Sequence, residues 1–248
     1  MKILILGGTA EARRLAAALA GDARYDATIS LAGRTREPAA QLLPTRVGGF
    51  GGVDGLIAYL RAEKIEALID ATHPFAARMS ANSRAAVAIT GTRLLALHRR
   101  PWTERPGDRW TQVPDMNAAV AALGTVPQAV FVTIGRQDVA PLQAAPWHRY
   151  VLRSVEPPDP GDLPPDVEIV TARGPFERDD ELRLMRSFGI ETLVTKNAGG
   201  EATAVKLDAA RELGIAVVMI ARPPEPDSPP IGVEAALRWL HAATERGA

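Results

Sequence analysis

The chain has no cysteine, which excludes disulfides, thiolate metal sites and cysteine nucleophiles from its chemistry. It has no apolar run of about 18 residues, and so no sequence candidate for a membrane-spanning helix. It also has no charge of either sign to spare: 29 basic residues balance 29 acidic ones over 248 residues. That neutrality leaves no electrostatic footprint for nucleic acid or for a membrane surface. Only four histidines are present, at 73, 98, 148 and 241, without the spacing of a metal site, so no metal is expected. The N-terminus reads directly as a strand, with no charged segment, apolar core and cleavage site ahead of it. The expectation is a cytoplasmic enzyme or binding protein of ordinary globular composition, with no obligatory protein partner.

What is present begins with MKILILGGTAEARRL. Residues 2–6 form the short apolar run of a strand covered on both faces. Gly7, Gly8 and Thr9 then make a tight turn, and residues 10–20 are rich in helix formers. A helix opening at Ala10 would aim free N–H groups and a partial positive charge at an anion over the turn. The full dinucleotide fingerprint needs a third glycine where this chain has Ala12, so the motif by itself is weak. The second strand, residues 26–32, runs into Gly33-Arg34-Thr35-Arg36. Where an NAD site would carry an acidic residue for the ribose, Arg34 would pair with a 2′-phosphate, and the reading is NADP.

Strands and helices alternate along the whole chain in the βαβ manner, which predicts an α/β fold of open parallel sheets. In the first half the pattern places strands at 2–6, 26–32, 45–48, 66–70 and 92–97, with helices at 10–20, 53–63 and 75–89. The stretch 98–114 breaks into prolines, tryptophans and charges and reads as a crossover. Beyond it come strands 128–134, 148–155, 167–171, 191–195 and 215–220, and helices 178–188, 201–213 and 232–245. This divides the chain into an N-terminal NADP-binding domain, 1–98, and a C-terminal α/β domain, 99–248. Residues 156–165 and 222–230 read as rigid proline-rich surface loops.

Ligands of such sheets sit beyond the carboxyl ends of the strands, so the turns after each strand are the informative places. After the third strand, Gly48, Gly49, Phe50 and Gly51 offer backbone N–H groups to a cofactor and a ring to pack against it. After the fourth comes Asp70-Ala71-Thr72-His73-Pro74-Phe75, where Pro74 suits a first helical turn and places Thr72 or His73 at its cap. In the second half Arg136, Arg153, Arg173 and Lys196 fall on or just after strands, and Lys196 leads into Asn197-Ala198-Gly199-Gly200. Together they favour an acidic substrate.

GGTAEAR, GGFGG, DATHPFA and TKNAGG, in this order and spacing, resemble the precorrin-6A reductases of cobalamin biosynthesis over essentially the whole chain. Ala198 stands where serine would be expected to be frequent. The resemblance implies two Rossmann-like or flavodoxin-like domains facing each other across a cleft. It implies NADPH-dependent reduction of one double bond of precorrin-6A, giving precorrin-6B. A tetrapyrrole rimmed by carboxylates needs cations and apolar walls. Arg136, Arg153, Arg173, Lys196, Asn197, Gly199 and His73 are the expected substrate contacts, with Phe50, Phe75 and Trp102 as walls. Gly7, Gly8, Thr9, Ala10, Arg34, Thr35, Gly48, Gly49, Phe50, Gly51 and Thr72 are the expected cofactor contacts. His73, Asp70, Thr9 and Lys196 are the candidate proton donors. Two alternatives stay open: the cobalt-containing substrate of the anaerobic branch, and a non-catalytic NADP- or tetrapyrrole-binding module.

Overall fold

The computed structural model describes residues 1–33, 40–223 and 231–245. The chain divides into two compact units, Met1–Arg99 with Glu225–Ala248, and Arg100–Pro224. The first unit contains β1 (Lys2–Leu6), α1 (Ala10–Leu19), β2 (Asp26–Leu31), β3 (Thr45–Val47), α2 (Val53–Ala62), β4 (Ala67–Asp70), α3 (Ala77–Thr90) and β5 (Arg93–Ala96). Its five strands are all parallel, in the order β3-β2-β1-β4-β5. Strand β1 shows why its sequence is apolar without alternation. Ile3 and Ile5 pack with Leu15 and Leu19 of α1 on one face, and Leu4 and Leu6 pack with Leu56 and Leu60 of α2 on the other.

The second unit contains β6 (Trp110–Val113), α4 (Met116–Leu123), β7 (Ala129–Thr133), β8 (Arg149–Ser154), β9 (Val167–Thr171), α5 (Arg178–Ser187), β10 (Thr192–Lys196), α6 (Val205–Leu213) and β11 (Ala216–Ile220). They form a six-stranded parallel sheet in the order β6-β11-β10-β7-β8-β9. Two of its elements fall outside the expected pattern. β6 is a four-residue edge strand within the stretch read as a crossover, and too short to show a period. Helix α4 is capped by Asp115, whose carboxylate accepts from Ala118 N at 2.9 Å, and closes at Gly124. The expected helix 201–213 is a single 3-10 turn, Glu201–Thr203, followed by α6.

The last helix, α7 (Val233–Glu245), corrects the expected division of the chain. Ala236 and Leu240 are fully buried in the cluster that holds α1 against β1 and β2, so α7 belongs to the first unit and not to a domain 99–248. The physical reason is coverage. α2 and α3 cover one face of the first sheet, and α1 and α7 share the other. Among the described residues no helix is long and apolar enough to cross a membrane.

A buried histidine gives the second unit a pH dependence. His148 is 1 % exposed, its Nε2 donates to the Gly124 carbonyl at 3.2 Å, and its Nδ1 has no hydrogen-bond partner. Burial pushes its pKa below the ordinary value, against a weaker upward pull from the Gly124 bond. The unfolded chain therefore takes up the proton first. His148's contribution to stability is complete above about pH 6.5 and is lost as the pH falls below it. Urea unfolding followed from about pH 7 down to about pH 5 should show a shallower loss of stability in His148→Gln than in the parent chain.

Candidate functional site

In the first sheet the chain runs outward in opposite directions from β1 and β4, so the switch point lies between their carboxyl ends. The Gly7-Gly8-Thr9 turn and residues 71–73 meet there. A Cβ on Gly7 would lie 2.8 Å from Ile29 Cδ1, so a side chain here would force Ile29 to shift where β1 turns against β2. Gly8 has φ +113°, a conformation that side-chain-bearing residues avoid, with nothing within 4 Å of where its Cβ would be. Thr9 caps α1 by accepting from Ala12 N at 3.1 Å and donates to the Ala71 carbonyl at 2.8 Å. One hydroxyl thus joins the helix start to the end of β4. Ala10 opens α1, and the open space over Gly8 faces no side chain, which fits a pyrophosphate.

Residues beyond β4 are arranged differently from the sequence expectation. Asp70 is 2 % exposed and accepts from Thr72 N at 3.1 Å and Thr72 Oγ1 at 2.7 Å. These bonds shape the loop that follows β4. Neither Thr72 nor His73 caps α3; the cap is Ala76, with no side-chain bond. A tight turn precedes the helix instead, closed by Ala76 N donating to the His73 carbonyl at 2.7 Å and Phe75 N donating to His73 Nδ1 at 3.3 Å. His73 is exposed, with its ring 5.8 Å from that of Phe75.

The glycine loop after β3 is held from below by Arg46. Its Nη1 donates to the Gly48 carbonyl and, at 3.3 Å, to Ser30 Oγ, and its Nη2 donates to the Gly49 carbonyl at 2.7 Å. The guanidinium lies 3.9 Å from the centre of the Phe50 ring, and Phe50 meets Tyr59 edge-on at 5.2 Å. Phe50 is partly buried and packs against the α2 side of the core. Gly48 N donates to the Leu31 carbonyl at 2.9 Å, so this N–H is used within the sheet edge and is not offered to a cofactor. Gly49 and Gly51 have open space where a Cβ would be. Arg34 and Thr35 lie outside the described residues.

The switch point of the second sheet lies between β7 and β10. Thr133 Oγ1 donates to Thr195 Oγ1 at 2.9 Å across these two strands. Just beyond them, Lys196 is ion-paired with Asp138, and Arg136 with Glu156 at 3.2 Å. Arg173 is exposed after β9. Arg153 lies at the carboxyl end of β8 but is turned inward. It is 8 % exposed, paired with Glu181 at 2.5 Å, and its guanidinium lies 3.8 Å from the Phe176 ring centre. Its charge is met by Glu181 and one face of its guanidinium by Phe176.

Asn197 and Gly199 both meet the segment 100–102. Asn197 Oδ1 accepts from Trp102 N at 2.8 Å and Nδ2 donates to Trp102 O at 3.0 Å, so the amide pairs with backbone as a strand would. A Cβ on Gly199, where φ is +67°, would lie 2.1 Å from the Arg100 carbonyl oxygen. Trp102 is partly buried and packs against the core of this unit. Arg222 donates to the carbonyls of Asn197 at 2.7 Å and Ala198 at 2.8 Å. In each unit, then, one arginine fixes the carbonyls of a glycine-bearing loop at the sheet's carboxyl edge.

The family model described as "Precorrin-6x reductase CbiJ/CobK" matches residues 2–241. The chain belongs to this family. It is 53% identical over 250 residues to a precorrin-6A reductase of Rhodobacter capsulatus, covering 99% of both chains. It is 46% identical to that of Rhodococcus erythropolis, again over 99% of both. The solved structure of a "CobK precorrin-6A reductase" superimposes with a TM-score of 0.91 at 52% identity, covering 97% of this chain and 96% of the other. Arg46 and Arg222, which hold these loop carbonyls, are not among the residues expected from the sequence. The available signal was position: each stands two residues beyond or before a strand-end feature, Arg46 ahead of Gly48-Gly49 and Arg222 after β11.

Proposed function

We propose that this reductase adds hydride and a proton across one carbon–carbon double bond of precorrin-6A, giving precorrin-6B, with NADPH as the reductant. The observation that carries the nucleotide half of this reading is the Gly7-Gly8-Thr9 turn at the β1/β4 switch point, open above Gly8 and followed by the capped start of α1. Bound there, a nicotinamide nucleotide supplies the hydride. Gly7, Gly8, Thr9 and Ala10 hold its pyrophosphate, Thr72 shapes the adjacent loop through Asp70, and Arg34 with Thr35 receive the 2′-phosphate.

The substrate's carboxylates are received by the second unit. Arg136 and Lys196 stand at the β7 and β10 ends, each in a pair that a carboxylate can join, and Arg173 is exposed after β9. His73 is the proposed proton source, since Asp70 and Thr9 are engaged in shaping loops and Lys196 serves as a carboxylate partner. The names of both relatives support the cobalt-free substrate.

The test is anaerobic turnover by the purified protein, read as loss of reduced-nicotinamide absorbance. Oxidation of NADPH should require precorrin-6A and should outpace that of NADH. Arg34→Ala should raise KM for NADPH by about tenfold to a hundredfold, the worth of roughly 1.5–3 kcal/mol of charged hydrogen bonding, and leave KM for NADH within about twofold. Equal effects on both nucleotides would remove the 2′-phosphate assignment. Turnover only with the cobalt-containing analogue would change the substrate, and binding without turnover of either would leave a non-catalytic module.

A further inference from the structure

We propose that Arg46 is a positioning residue for the cofactor: it sets the shape of the 48–50 loop that receives the adenosine end of the nucleotide, without pairing with the 2′-phosphate. The inference rests on the reading that the first unit binds NADPH. It starts from the identity of the groups Arg46 touches. All three acceptors are neutral oxygens, the carbonyls of Gly48 and Gly49 and the hydroxyl of Ser30, and its flat face is against Phe50.

A carbonyl pinned toward the guanidinium turns the next residue's N–H the opposite way, because the peptide unit is planar and trans. Fixing the oxygens of Gly48 and Gly49 therefore fixes the directions of the N–H groups of Gly49 and Phe50. Without this hold, the two consecutive glycines would sample a wide range of backbone conformations, and ligand binding would have to restrict them. The loop sits beside the carboxyl end of β2. Gly48 N bonds to Leu31 O, and a Cβ on Gly33 would lie 3.4 Å from Val47 Cγ1. It is thus next to the residues that lead into Arg34. A lysine in place of Arg46 could reach one carbonyl but has no second planar donor for the other.

The prediction separates Arg46 from Arg34. Arg46→Met should weaken NADPH and NADH by the same factor, about tenfold, because both nucleotides share the adenosine and only one carries the 2′-phosphate. KM should carry the loss and kcat should change by less than about threefold, with Arg46→Lys intermediate. Melting curves of both variants establish that the fold is retained; if Arg46→Met is unfolded, Arg46→Lys alone decides. Loss of NADPH affinity with NADH unchanged would overturn the proposal in favour of direct phosphate pairing. Unchanged affinity for both would overturn it outright. Hydrogen exchange of the parent chain with and without NADPH tests the underlying reading separately. Protection of residues 7–12 supports the nucleotide site whatever Arg46 does, and no protection there means that the reading itself has failed.

Discussion

Alanine at Gly55 should raise KM for NADPH by at least about tenfold and destabilise the first unit by about 1–3 kcal/mol, the cost of forcing atoms into a packed region. Gly55 lies in the first turn of α2, and a Cβ there would sit 1.6 Å from the Phe50 carbonyl oxygen and 2.7 Å from the Phe50 carbonyl carbon. Both obstacles are backbone, so no side chain can swing aside to make room. The loop itself must lift from the helix, carrying Phe50 off Tyr59 and drawing the Gly48 and Gly49 carbonyls from Arg46. Gly91→Ala is the matched control. Its residue ends α3 at φ +73° with open space around the Cβ position, so it incurs backbone strain of about 1 kcal/mol but should not move KM. Urea unfolding and nucleotide titration on the two variants check both halves. Equal KM values in the two would show that the loop does not touch the cofactor.

Replacing Glu181 with alanine should cost about 3–5 kcal/mol of stability, the largest single loss expected from a polar change in this protein. Glu181 is 1 % exposed and Arg153 is 8 % exposed, and their ion pair lies under the Phe176 ring. Without Glu181 the guanidinium is left as an uncompensated buried charge. The double variant Arg153→Met/Glu181→Leu should recover most of the loss, since apolar side chains of similar size avoid the desolvation of both ions. Denaturant midpoints of the parent, the single and the double variants give the answer. KM for precorrin-6A in the double variant then reports on Arg153 directly. A value close to the parent's agrees with a packing role, whereas a rise of about tenfold or more would return Arg153 to the substrate.

Much of the architecture was legible because parallel α/β sheets write themselves into the chain locally. β1 reads as a buried strand from its five residues, and the Gly7-Gly8-Thr9 turn reads as a strand-to-helix junction from the glycines and the cap. The cap of α3 was misread for a local reason too. Pro74 suits a first helical turn, but it is used one step earlier, in the tight turn closed on His73. β6 and α4 escaped because a four-residue edge strand has no measurable period and an alanine-rich helix of eight residues has little amphipathic contrast.

The cations divided along a different line. Arg136 and Lys196 follow strands in the sequence and stand at strand ends in the structure, whereas Arg153, equally prominent in the sequence, is turned into the core by Glu181, 28 positions away. Arg46 and Arg222 show the converse. Only their position near a strand end marks them, since their partners are backbone carbonyls, which every residue has.

The sequence by itself therefore determined the α/β class, the order of most strands and helices, the glycine turn at the first switch point and the family. Each of these depends on contiguous residues, on periodicity or on motifs in series. Tertiary structure decided which sheet α7 covers, which arginines are bound up in pairs and which loop carbonyls are pinned. Those outcomes depend on groups far apart in the chain competing for the same partner, and that competition is resolved only when the sheets are packed.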